Sequence, residues 1–424
     1  MGSVESILAG VPIPEVVTVR QSLPRPRLAP GQLEETLSPA ALGRLVRPGE
    51  SIAIAVGSRG VANQAAVVAR LVASLRQAGA EPFVVPAMGS HGGATGEGQA
   101  ELLAGMGVSE PTVGAPVRSS MEVEQVGEAD GLPVMVDRLA WRADGIVIVN
   151  RVKPHPSFRG ERESGLAKMI AIGLGKQAGA QAYHSRGMTA MADTVLAVAS
   201  HVLATGRIRA GVALLENAHH ETCHVELVPG DRMIEREPAL LEQARGLQPT
   251  LPFAELDVLV LDRIGKNIAG TGFDCNVVGR YSNPDLTGGP AITRIAALSL
   301  TPETHGNANG IGLVDVTTRR VFDRMTFDET YPNALTSTAS VSVKIPMVLA
   351  SDALAIRAAI QTTGITDPAA LRLARIRDTL SLGELQASPA AVAALNGTSQ
   401  AEVEGAPQPL AFDDAGDLVG LNGA

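Results

Sequence analysis

Apolar and polar positions along this chain fall into alternating blocks. SIAIAV (51–56) is an unbroken apolar run ending in GSRG, and it predicts a buried strand. ANQAAVVARLVASLRQAG follows with apolar positions at helical spacing and a glycine stop. EPFVVPAMG predicts a second strand that runs into SHGGAT, where Thr95 is placed to cap a helix in GEGQAELLAGMG. DGIVIVN (144–150) predicts a third strand. SGLAKMIAIGLGKQAG and GMTAMADTVLAVASHVLATG predict helices, and RAGVALLENA another strand.

Repeated strand, loop and helix imply a parallel sheet covered on both faces, with ligands at the carboxyl ends of the strands. Residues 1–48 are Pro-rich and partly extended, and a composition shift at GLQPTLPFAEL (246–256) reads as a linker. Beyond it, DVLVLDRIG and AITRIAALSL predict strands, KIPMVLASDALAIRAAI and DPAALRLARIRD predict helices, and the tail after about residue 396 reads as an extended surface segment. The expectation is two Rossmann-like α/β domains, 1–248 and 249–424, with an interdomain active-site cleft.

Composition narrows the partners. The net charge is −9, no run of Lys and Arg occurs, and three Tyr, seven Phe and one Trp offer little for base stacking. Nucleic acid and anionic membrane surfaces are therefore not expected. Two cysteines, Cys223 and Cys275, cannot form a disulfide framework, so a reducing cytoplasm is the expected location. The start MGSVESILAG lacks the basic and apolar regions of a signal peptide, and no apolar run approaches about 18 residues.

Unusual residues gather just after the strands. Arg59 sits in GSRG, where an arginine in a glycine-cleared loop suits a bidentate carboxylate clamp. His91 sits in GSHGG, and His155 lies between Pro154 and Pro156, which fix the backbone and aim the ring. Lys168 is flanked by Leu166, Ala167, Met169 and Ile170, surroundings that favour loss of its proton and attachment chemistry. His184 follows on one helix and precedes another. Each has a plainer reading: a turn histidine, a helix-end histidine, a snorkelling lysine or an exposed loop arginine. HExxH, CxxC pairs, EF-hand loops, GxSxG, Walker loops and a GxGxxG fingerprint are absent. His219, His220, Cys223 and His224 form the best conventional metal cluster, but adjacent residues of a strand point to opposite faces.

Taken in order, GSRG, GSHGG, KPHP and SGLAKMIAIGLGKQAGAQAYH resemble the nickel-pincer lactate racemase family, the nickel-dependent 2-hydroxyacid racemases and epimerases. The second half resembles it loosely, chiefly at TGFDCNVVGR. The resemblance implies a nickel-pincer nucleotide, a pyridinium-3-thioamide-5-thiocarboxylic acid mononucleotide carrying nickel. Lys168 would hold it covalently and His184 would ligate the nickel. His91 and His155 would be the acid and base, and Arg59 would hold the substrate carboxylate. Asn276, Arg280 and Lys266 are further substrate-facing candidates, with Asn307 and Asn309 beside them. The first domain would bind the cofactor and the second would close over the substrate. Implied partners are a small 2-hydroxy acid and the enzymes that make the cofactor, with the chain a monomer or small homo-oligomer.

Three departures stand out. Val56 occupies the position of the family's aspartate three residues before the arginine, Gly165-Leu166 replaces a Gly-Gly pair, and Arg159, Glu161, Arg162 and Glu163 lengthen the loop after His155. They point to a hydroxy acid larger or more polar than lactate, or, for the charged insert, to a solvated loop. Two rival readings remain open: a divalent-metal hydrolase using His219, His220 and His224, and a non-catalytic binder of a small molecule or nucleotide.

Overall fold

The structure, a computed structural model, describes residues 3–58, 60–395 and 401–419. It forms two compact units. One is Pro24–Gln248; the other joins the residues up to Leu23 to those from Pro249 onward. Residues up to Leu23, expected with the N-terminal domain, thus pack with the C-terminal one. The cause is strand β1 (Val16–Gln21), which pairs antiparallel with two strands from the far end of the chain and buries Val16, Val17 and Val19.

The unit Pro24–Gln248 is built on β2 (Ser51–Val56), β3 (Glu81–Pro86), the hairpin β4 (Val123–Ala129) and β5 (Leu132–Asp137), then β6 (Gly145–Arg151), β7 (Ile208–Glu216) and β8 (Thr222–Pro229). Its main sheet has the order β3-β2-β6-β7-β8, parallel except for β8. Successive residues of the strands enter different cores. Ala53, Ala55, Ile146 and Ile148 pack on one face, and Ile52, Ile54, Val147 and Val149 on the other. Burial on both faces explains why these strands are continuous apolar runs rather than alternating ones. The helix Gln64–Gln77 covers one face with Val67, Val68, Leu71, Val72 and Leu75. Thr95 caps the helix Gly96–Gly105, as expected, accepting from the Gly98 N–H at 3.0 Å.

The other unit adds β9 (Glu255–Leu261), β10 (Ala291–Ala297), β11 (Val316–Thr318), β12 (Met347–Leu349), β13 (Leu373–Ile376), β14 (Glu384–Ala387) and β15 (Ala401–Gln408), in the order β12-β11-β10-β9-β13-β14-β1-β15. Two expected helices are shorter than their patterns implied. In KIPMVLASDALAIRAAI only Asp352–Gln361 is an α-helix, capped by Ser351, and Met347–Leu349 is a strand. In DPAALRLARIRD the second half is β13, beside β9. Arg375 there is buried in the sheet because Asp262 meets its guanidinium at 2.8 and 3.0 Å. No helix among the described residues is long and apolar enough to cross a membrane.

Candidate active site

Strand order locates the site within the unit Pro24–Gln248. The chain goes from β2 outward to β3, then returns to place β6 on the other side of β2. The carboxyl ends of β2 and β6 therefore flank a switch point, where connections diverge and leave a crevice. The loops that follow these two strands hold Arg59 and His155. Arg59 itself lies outside the described residues. Three residues on, Ala62 is tied, since Glu216 accepts from its N–H at 2.9 Å and the Thr222 hydroxyl donates to its carbonyl at 2.5 Å. Gly57 allows this loop to approach Met169, because a Cβ there would lie 2.8 Å from the Met169 methyl.

His91, in the loop after β3, is half-buried and its Nδ1 is hydrogen-bonded to the Ser58 hydroxyl from the loop after β2. Its backbone carbonyl accepts from Gln99 Nε2 at 3.2 Å, and the same nitrogen donates to the Gly89 carbonyl at 2.9 Å.

His155 is held by several contacts. Its N–H donates to Glu163 Oε2 at 2.6 Å, its ring lies 4.3 Å from that of Phe158, and its Nδ1 accepts from the Ser157 N–H at 3.1 Å. An accepting Nδ1 places the proton of the neutral ring on Nε2. The charged insert is neither a loose solvated loop nor free to meet a substrate as a whole. Glu163 is 1 % exposed and also takes Arg245 at 2.8 Å, while Arg159 donates to the His155 carbonyl at 2.5 Å and Arg162 to the Ile234 carbonyl at 2.8 Å.

Lys168 ends the single α-turn Leu166–Lys168, and a π-helical turn, Met169–Gly173, follows. The continuous helix expected from the sequence is thus interrupted. Such a turn is frequent at functional sites. The start of the segment is clamped: Asn150 Nδ2 donates to the Gly165 carbonyl at 2.7 Å, and Glu237 Oε2 accepts from the Ala167 N–H at 2.9 Å. Burial pushes the Glu237 carboxyl up to about 7.

His184 ends the helix Lys176–His184. Its Nδ1 is buried and has no hydrogen-bond partner among the described residues. Burial, then the positive charge of Lys168, hold its pKa below the usual imidazole value. Lys168 and His184 therefore sit within electrostatic reach, and His184 is kept in the neutral form that binds metals.

Residues 27–195 match the model of the lactate racemase N-terminal domain. That stretch of the chain is therefore similar to the N-terminal domain of lactate racemases. Among solved structures, the lactate racemase apoprotein from Thermoanaerobacterium thermosaccharolyticum is similar at 14% identity, over 79% of this chain and 88% of its own, with a TM-score of 0.48. No curated protein matches the chain.

Four buried residues of this unit escaped the sequence reading of the site: Gln99, Asp137, Lys176 and Glu237. Glu237 left a signal. It falls on the buried stripe of the helix Met233–Leu247, in register with Met233, Leu240, Leu241 and Ala244. Lys176 left a weaker one, a lone charge in GLGKQAG. The conventional metal cluster does not assemble. His224 pairs with Glu226 at 3.2 Å, Cys223 Sγ donates to the Leu215 carbonyl at 3.6 Å, and among the described residues no group of three or more His, Cys, Asp and Glu is placed to hold a metal.

The candidates beyond Pro249 divide by occupation. Arg280 was expected to face substrate, yet its donors go to Asp315 at 2.8 Å and to the carbonyls of Leu313, Ile292 and Thr293. Lys266 Nζ donates to the Gly270 carbonyl at 2.9 Å, and Asn276 Oδ1 accepts from the Tyr281 hydroxyl at 3.5 Å. Asn307 and Asn309 are buried in the same loop system, donating to the carbonyls of Glu329 and Gly270.

Proposed function

We propose that this protein is a nickel-pincer-nucleotide-dependent racemase or epimerase of a 2-hydroxy acid. The observation that carries the reading is the proximity of Lys168 to His184, whose buried Nδ1 lacks a partner among the described residues and whose ring is held neutral. These residues fit the group: Lys168 would anchor it covalently and His184 would ligate its nickel. When bound, it would supply a hydride acceptor, allowing the substrate to pass through a planar 2-keto acid. The family match over residues 27–195 supports the same reading.

The chain's own residues supply positioning and proton transfer. Arg59 would bind the substrate carboxylate bidentately, from a loop whose far side is tied by Glu216 and Thr222. His91 and His155 would take and return the hydroxyl proton, one for each enantiomer. Their settings differ. His91 has a hydroxyl partner, which can donate or accept. His155 presents its ring proton at Nε2, and for Nε2 to take a proton the Ser157 contact must first give way. Lys266, Asn276 and Arg280 are candidates for further substrate contacts.

The test is co-expression with the cofactor-making enzymes, then intact mass, nickel content and a panel of chiral 2-hydroxy acids. Added mass that disappears in Lys168→Ala, with racemisation of one acid, is the expected result. Unmodified, nickel-free protein would overturn the proposal. A loaded protein that binds but turns over no acid would favour the non-catalytic reading.

A further inference from the structure

Lys176, Asp137 and Gln99 are each fully buried and have no part in the chemistry proposed above. Lys176 opens the helix that ends at His184, with its backbone in the left-handed region, φ 53°. A residue other than glycine holds that conformation where tertiary contacts impose it. Here the contacts are visible. The ammonium meets the Asp137 carboxylate at 3.0 Å, the Pro86 carbonyl at 2.5 Å and Gln99 Oε1 at 2.9 Å. The ammonium thus donates to Pro86 and Gln99 and forms an ion pair with Asp137.

Each acceptor leads to a different part of the site. Pro86 ends β3, immediately before the His91 loop. Gln99 turns its other end, Nε2, to the Gly89 and His91 carbonyls. Asp137 donates its N–H to the Leu174 carbonyl at 2.7 Å, just past the π-turn that follows Lys168. One bonded path therefore joins the His91 loop, the end of the Lys168 segment and the start of the His184 helix.

We propose that Lys176 is a positioning residue that locks the His91 loop to the helix carrying His184, through Gln99 on one side and Asp137 on the other. The catalytic meaning of His91 and His184 rests on the function proposed above, whereas the lock itself does not. Hydrogen exchange by mass spectrometry on the full chain, without cofactor or substrate, therefore tests the two separately.

Gln99→Glu keeps an acceptor for Lys176 and loses both donors to the loop. Exchange across 87–95 should rise about ten-fold or more, while 177–184 is unchanged. Lys176→Met alone leaves Asp137 buried without its cation and risks unfolding, so it is combined with Asp137→Asn, which removes both charges together. In that double variant, exchange should rise in both segments, with β2 and β6 unchanged. Unaltered exchange in 87–95 in either variant would overturn the lock. So would an even rise across the whole unit, the mark of a merely structural role.

Discussion

The Glu163 carboxylate accepts the His155 backbone N–H at 2.6 Å from a fully buried position, and Arg245 meets its other oxygen at 2.8 Å. A residue of the charged insert is thus the brace of the candidate acid/base. Glu163→Ala leaves the peptide N–H without its acceptor and should cost about 1–3 kcal/mol in urea denaturation. Misplacement of the ring should lower kcat of the loaded enzyme on the order of 10²-fold. Glu163→Gln retains an acceptor and should keep most of both. Equal losses in the two variants would show that the negative charge, not the hydrogen bond, is what matters.

Lys168 depresses the His184 pKa by its charge, after burial. A positive neighbour disfavours imidazolium, so removing it must raise the value. In Lys168→Met, the His184 ring titrated by NMR in the cofactor-free protein should move up toward 6.5, stopping short because burial remains. An unmoved titration would mean that the two side chains do not meet.

Glu237 gives the fold a pH dependence of defined sign. Its folded pKa is raised from 4.5 to about 7. Between those values the folded state holds a proton that the unfolded state has lost, so stability falls as pH rises from 4.5 through about 7 and is flat above. The size is about 3 kcal/mol for a shift of this order. Comparing melting curves from pH 4.5 to 8, Glu237→Gln should flatten that slope. A parallel slope in wild type and variant would place the effect elsewhere.

Gly165 is required for space rather than for backbone freedom, since its φ of −180° is ordinary extended geometry. A Cβ there would lie 1.9 Å from Glu237 Oε1 and 2.8 Å from its Cδ. Gly165→Ala should therefore cost about 1–3 kcal/mol, as overpacking does. Glu237→Asp shortens the intruding side chain, so the double variant should recover part of the loss. Simple additivity in a denaturation cycle would refute the contact.

The sequence by itself determined the elements that meet at the switch point. The apolar runs 51–56, 81–86 and 145–150 are strands because both sheet faces are covered, and that pattern is local. His91, His155, Lys168 and His184 stood out as candidates because rigid or glycine-cleared loops and apolar flanks mark residue types out of their usual setting. Only the tertiary structure decided what holds them. Glu163, Lys176 and Glu237 are ionisable groups in a core, and such a group enters a core only when partners distant in the chain, Arg245, Asp137 and the Ala167 N–H, are brought to it. The same reason moved β1 to the far unit, where its strand partners lie more than three hundred residues away. It also gave Arg280 its partners, Asp315 and three carbonyls. Local pattern names the residues that stand out, and folding supplies the partners that decide what each one does.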